Sequence, residues 1–109
     1  MADSSRSEKS KKRRRFNEFF VDATIRSMEF GEVVLRFLEL TSSVRREEIS
    51  RKPEVFAAEL YSIFRDSSPA IEERIIKNLY STIGIEYKIV KGYKIQDYIR
   101  HALKEYLKE

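Results

Sequence analysis

The sequence predicts a mainly α-helical protein: a compact bundle of about five helices with one short β-hairpin near residues 85–95. Three observations lead to this prediction. Apolar residues recur at helical spacing through most of the chain, a polar connection over residues 41–52 interrupts these segments, and only one stretch alternates apolar and polar residues. The 109 residues, 41% of them hydrophobic, have room for one domain with a small core.

The first predicted helix covers residues 16–30 and ends before a glycine at position 31. Its apolar side chains form two sectors on a helical wheel, and Phe16, Phe19 and Phe20 lie in the first of them. Three roles are open for these phenylalanines: core packing, a surface for a protein partner or a homodimer, and stacking on nucleic-acid bases.

Three further helices follow along the chain. Residues 32–40 are apolar on most sides, which predicts a deeply buried helix. A third helix over residues 53–64 begins with a proline, whose missing N–H is harmless in a first turn. Ser68 as N-cap and Pro69 at the first position start a fourth helix, which Gly84 ends as a left-handed cap.

The predicted hairpin lies between the last two helices. Residues 85–89 alternate with period two, Lys91 and Gly92 supply a turn, and residues 93–95 form the second strand. The final helix, from Ile95 onward, has one apolar face and one charged face.

Charge divides the chain into two parts. Residues 1–15 contain seven basic and two acidic side chains, a net charge of +5, whereas residues 16–109 contain fifteen basic and sixteen acidic ones, a net charge of −1. The first part also lacks large apolar residues, so we expect 1–15 to be a disordered basic arm and 16–109 to be a single helical domain.

The basic arm favours contact with a polyanion. Its cations can neutralise phosphates of nucleic acid, either DNA or RNA, without reading base sequence; the alternative is a tail that only improves solubility. The candidate nucleic-acid-binding residues are Lys9, Lys11, Lys12, Arg13, Arg14 and Arg15.

No pattern in the chain is typical of an enzyme, so we expect a non-enzymatic protein without cofactor, metal or catalytic residues. Cysteine is absent, the three glycines form no phosphate loop, and His101 has no second histidine or cysteine with which to bind a metal. No apolar run is long enough to span a membrane and no secretion signal is visible, so we expect a cytoplasmic protein without a membrane partner. Few thermolabile and many charged residues are typical of thermophiles.

Two features of the fourth helix suggest further contacts. Glu72 falls within the apolar arc of this helix, where its carboxylate either has a structural role, stabilised by the helix N-terminus or paired with a basic side chain, or contacts a ligand or partner. The order helix, turn, helix, hairpin also fits a winged-helix DNA-binding protein, with residues 68–83 as recognition helix and Lys88, Lys91 and Lys94 on the wing. Against this alternative, Glu72 and Glu73 would repel phosphates, a repulsion that Arg74, Lys77 and Asn78 partly offset.

The order of three short motifs resembles a known family. The motifs are Lys-Pro-Glu-Val-Phe at 52–56, Ala-Ile-Glu at 70–72 followed by Ile-Gly-Ile-Glu-Tyr at 83–87, and Gly-Tyr at 92–93 with Asp-Tyr-Ile at 97–99. Over about residues 31–99 they resemble the small archaeal output domain named after Nitrosopumilus. The resemblance implies an archaeal, intracellular, non-enzymatic regulatory module and assigns no catalytic residue. The family's glycines between its third and fourth helices are absent here, where residues 65–69 read Arg-Asp-Ser-Ser-Pro.

Overall fold

The computed structural model describes residues 2–108, with side chains from Glu8 to Lys108, as a bundle of five α-helices. Two short 3₁₀ segments, Arg46–Arg51 and Arg65–Ser67, flank the third helix. The helices are α1 (Ala2–Arg26), α2 (Gly31–Ser42), α3 (Pro53–Phe64), α4 (Ser68–Ile83) and α5 (Ile95–Leu107). None of the described helices is long and apolar enough to cross a membrane.

The core lies along α1, which packs against α2, α4, α5 and the first 3₁₀ segment. Each helix contributes one apolar face, as the helical spacing in the sequence predicts. The ring of Phe20 on α1 meets that of Phe56 on α3 edge to face, with centroids 4.9 Å apart. Completely or almost completely buried side chains from every helix include Phe16, Phe20, Leu35, Leu38, Phe56, Leu60, Ile75, Leu79 and Ile99.

Asn17 ties α1 to the first 3₁₀ segment. Its amide donates a hydrogen bond to the Arg46 carbonyl (2.8 Å), and its side-chain oxygen accepts one from the backbone N–H of Ser50 (2.9 Å). Arg46 in turn forms ion pairs with Glu32 (2.9 Å) and Glu39 (3.6 Å) of α2. The segment that the sequence suggested as a simple polar connection therefore joins two helices.

The basic residues near the N-terminus belong to α1. The sequence analysis expects a disordered arm over residues 1–15, but the structure continues α1 back to Ala2; Met1 and the side chains before Glu8 lie outside the described part. A helix that packing has already formed from Phe16 onward extends without a new nucleation step. Residues 2–15 contain no glycine or proline, and lysine and arginine are good helix formers.

Two helix boundaries differ from the prediction. α1 ends at Arg26, and Gly31 begins α2 instead of ending the first helix. At the start of α4, Ser68 lies inside the helix, and its hydroxyl donates to the Arg65 carbonyl (2.7 Å) instead of capping α4. Gly84 does end α4 in the left-handed conformation (φ 79°), as predicted.

The predicted β-hairpin does not form, and no strand occurs between residues 2 and 108. The turn at its centre is present: the Tyr93 N–H donates to the Val90 carbonyl (3.0 Å), with Gly92 at φ 86°. The second strand is replaced by the start of α5, where the Asp97 carboxylate accepts from the Lys94 N–H (2.8 Å). On the other side of the turn, the Val90 N–H donates to the Tyr98 hydroxyl (2.9 Å) instead of to a strand.

Candidate interaction surfaces

The six basic residues predicted to bind nucleic acid lie together on one stretch of α1. Five of them, Lys9, Lys11, Arg13, Arg14 and Arg15, are exposed, and Lys12 is half-buried. Because an α-helix rises about 1.5 Å per residue, six positive charges occupy about 10 Å of the helix axis. None of the six forms an ion pair with another side chain between Glu8 and Lys108. Their charge is therefore available to an anion from solution.

One side of this basic segment is a shallow groove of about 430 Å³ that reaches the end of α5. The ring of Tyr106 on α5 borders the groove and packs against Phe16 and Phe19, at centroid distances of 6.0 and 6.1 Å. These contacts place an aromatic ring beside the cations. The groove is lined by Lys11, Lys12, Arg14, Arg15, Glu18 and Tyr106.

The phenylalanines predicted as a partner surface are mainly core residues. Phe16 and Phe20 have no exposed surface, and Phe19 is partly buried against the core. Phe16 and Phe20 are therefore not available as a docking face in the folded chain, and a partner contact of Phe19 stays a prediction. Helix α5 covers the rings of Phe16 and Phe19 through Tyr106, a contact that the spacing within α1 does not reveal.

The structure does not support the winged-helix alternative, because the predicted wing does not form among the described residues. Lys88, Lys91 and Lys94 are exposed but lie in an irregular segment and a turn, since the hairpin that would carry them is absent from the described residues. At the start of the supposed recognition helix, Glu73 pairs with Lys77 (2.7 Å), which removes one of the cations expected to face phosphates.

Glu72 lies at a small cavity of about 190 Å³ between α4 and the segment that leads into α5. Tyr87, Tyr93 and Tyr98 line the same cavity. The half-buried carboxylate has no hydrogen-bond or ion-pair partner among the described residues, and burial raises its pKa. The structural pairing considered for Glu72 is thus not seen, and contact with a ligand or partner stays a prediction.

An exposed apolar stripe runs along α2 and is the surface that the sequence analysis missed. It consists of Phe30, Val33, Phe37 and Leu40, which are 67%, 66%, 45% and 78% exposed. The sequence analysis expects α2 to be deeply buried, whereas only its opposite face, including Leu35 and Leu38, packs into the core. The sequence does contain a signal for this surface, because the four residues are separated by three, four and three positions, which is the apolar repeat of paired helices.

Other kinds of site have little basis in the described part of the chain. No group of three or more histidine, cysteine, aspartate or glutamate side chains there could hold a metal ion. His101 is exposed at the surface of α5. Comparisons of the chain with protein-family models, with curated proteins and with solved structures found no match.

Proposed function

We propose that this protein is a non-enzymatic nucleic-acid-binding module, whose basic segment of α1 contacts the phosphate backbone without reading base sequence. The observation that carries the proposal is the row of exposed, unpaired cations from Lys9 to Arg15. Phosphate contacts of this kind supply most of the affinity of nonspecific binding, because they release counterions from the nucleic acid.

The structure of α1 adds a physical reason why this segment would take up a polyanion. Lysines and arginines at spacings of three and four residues, such as Lys11 with Arg14 and Arg15, repel one another on the helix surface. Each such pair destabilises a helix by about 0.2–0.5 kcal/mol. Phosphates placed along the segment would relieve this repulsion, so binding and helix formation should reinforce each other.

Tyr106 gives the groove beside the cations an aromatic edge. A base from a single strand could stack there while phosphates meet Lys11, Arg14 and Arg15, an arrangement typical of single-strand binding. A duplex would use the cations alone. The proposal therefore includes both forms of nucleic acid, and stacking on the tyrosine ring would add affinity for the single strand alone.

A regulatory role for the helical body is also part of this proposal. Its support is the order of motifs over about residues 31–99, which resembles the Nitrosopumilus-type output domain. In such an arrangement α1 would hold the module on nucleic acid while the other helices present their surfaces to a further partner.

A fluorescence-anisotropy titration tests the proposal, with a mixed-sequence duplex and a single strand at several salt concentrations. If about five phosphates of the duplex are contacted, the slope of log affinity against log salt is about −4 to −5, and doubling the salt weakens binding roughly 20–30-fold; five contacts on the single strand give a slope of about −3.5. Changing Arg13, Arg14 and Arg15 together to glutamine should make the slope less steep by about 2.7 on the duplex and by about 2 on the single strand.

The matched control replaces three other exposed cations, Lys88, Lys91 and Lys94, by glutamine. This variant has the same net charge as the arginine variant but keeps the basic segment of α1, so its salt slope should stay close to that of the parent. Equal losses in the two variants would mean that only net charge matters. A larger loss in the lysine variant would contradict the proposal.

A further inference from the structure

The apolar stripe on α2 has the spacing of a helix–helix interface. Phe30, Val33, Phe37 and Leu40 follow one another at intervals of three, four and three residues, which places them along one side of α2. Charged residues border this side: Glu29, Glu32 and Arg36 are exposed next to it. An apolar seam with a charged border is the pattern that paired helices present to each other.

The size of the stripe matches what a stable dimer buries. A fully exposed phenylalanine side chain offers about 150–250 Å², and valine and leucine offer less; these four side chains are roughly half to three quarters exposed, so together they present on the order of 400–500 Å². A standard protein interface buries about 800 Å² per partner, of which roughly 56–65% is apolar, again on the order of 500 Å².

The surface around the stripe also suits a helix–helix interface, because a groove lies on each side of it. Between α2 and α3 is an almost wholly apolar groove of about 320 Å³, which Val33, Phe37 and Ile63 help to line. On the other side, a second groove of about 340 Å³ includes Arg36 and Leu40. Side chains that project between grooves can interlock with the same surface of a second copy.

From these observations we propose that the stripe is the interface of a homodimer, in which two copies of α2 pack antiparallel about a two-fold axis that crosses the stripe at the level of position 35. In this arrangement Phe30 faces Leu40 of the second copy, and Val33 faces Phe37 of the second copy. Each contact then joins two apolar side chains, and the same patch serves both copies, as two-fold symmetry requires.

The charges at the border agree with this pairing. Arg36 has no ion pair with a described side chain of its own copy. With the two-fold axis at the level of position 35, it lies level with position 34 of the second copy, two residues or about 3 Å along the axis from Glu32 there. The arginine side chain is long enough to reach that carboxylate, which already pairs with Arg46 of its own copy through one oxygen, so each dimer would contain two carboxylates shared between Arg46 and Arg36.

Sedimentation velocity over a wide range of protein concentration tests the dimer. The parent chain should change from monomer to dimer as its concentration rises. In Leu40→Glu the dissociation constant should rise at least about 100-fold, because two leucine side chains per dimer lose their burial and two carboxylates enter the interface. Leu40 is 78% exposed in the single chain, so this change should leave the fold intact, as circular dichroism can check.

Ile89→Glu is the matched control, since Ile89 is 83% exposed but lies between α4 and α5, outside the stripe. It introduces the same charge at an apolar surface position and should dimerise as the parent does. A parent chain that stays monomeric at every concentration would overturn the proposal. A dimer that Leu40→Glu leaves unchanged would also overturn it.

Thiol cross-linking tests the antiparallel orientation, because the chain has no cysteine of its own. Phe30→Cys and Leu40→Cys are prepared separately and treated with a short bifunctional reagent, alone and mixed. Position 30 of one copy faces position 40 of the other, so only the mixture should cross-link efficiently. Efficient linking of either variant with itself would refute the antiparallel pairing.

Discussion

Replacing Gly31 by alanine should destabilise the fold, although alanine is the better helix former. A Cβ atom added at Gly31 would lie 2.5 Å from the Cα of Ile25 and 2.7 Å from its carbonyl oxygen. Carbon atoms normally approach no closer than about 3.5–4.0 Å, so the backbones of α1 and α2 would have to separate by about 1 Å.

The size of the effect comes from two opposing contributions. Helix propensity favours alanine over glycine by up to about 1 kcal/mol. Overpacking usually costs about 1–3 kcal/mol, and the upper end applies here because the clash is with backbone atoms, which cannot rotate away. The net loss of unfolding free energy is therefore about 2 kcal/mol, and the melting temperature should fall by roughly 8–16 °C in a domain of this size.

Urea unfolding followed by circular dichroism measures this loss. The midpoint should fall while the slope of the transition stays the same, because the surface exposed on unfolding hardly changes. Gly92→Ala is the control: nothing lies within 4 Å of its added Cβ, and the only cost is the left-handed backbone at φ +86°. A Gly31→Ala protein as stable as its parent would refute the close approach of α1 and α2.

Three further predictions concern burial and charge. Leu60→Ala should lower the unfolding free energy by about 2–5 kcal/mol, since Leu60 is fully buried. Ser62→Ala on the exposed side of the same helix should change it by less than about 0.5 kcal/mol, and the midpoints of urea unfolding measure both changes. Asn17→Ala leaves the Ser50 N–H and the Arg46 carbonyl without their partner and should lower the unfolding free energy by about 1–3 kcal/mol. The neighbouring exposed change Glu18→Ala should alter it little, and urea unfolding measures both variants. Burial raises the pKa of Glu72, so the folded chain holds this proton more tightly than the unfolded chain, and the group's contribution to stability is present at acid pH and lost as pH rises through the raised pKa. Glu72→Gln should therefore gain stability over the parent at neutral pH but not below the ordinary carboxyl pKa; an equal gain at both pH values would contradict this assignment.

Much of the local structure was predictable because it depends on spacing within one segment. The third, fourth and fifth helices, the left-handed conformation at Gly84 and the turn at Gly92 all occur where the sequence indicates. The hairpin was not predictable in this way. Tyr87 and Tyr93 fit the two predicted strands, but in the fold both rings pack against Tyr98 of α5, with centroid distances of 5.6 Å from Tyr87 and 5.1 Å from Tyr93.

The candidate surfaces also differ in whether the sequence alone predicts them. The sequence by itself determined that positive charge is concentrated before Phe16, because charge is a property of the residues present and needs no fold. Only the tertiary structure decided that Phe16 and Phe20 are buried while Val33 and Leu40 are exposed. Both helices are apolar on more than one side, and which side is covered depends on the helices that pack there, including α5, which lies more than fifty residues further along the chain.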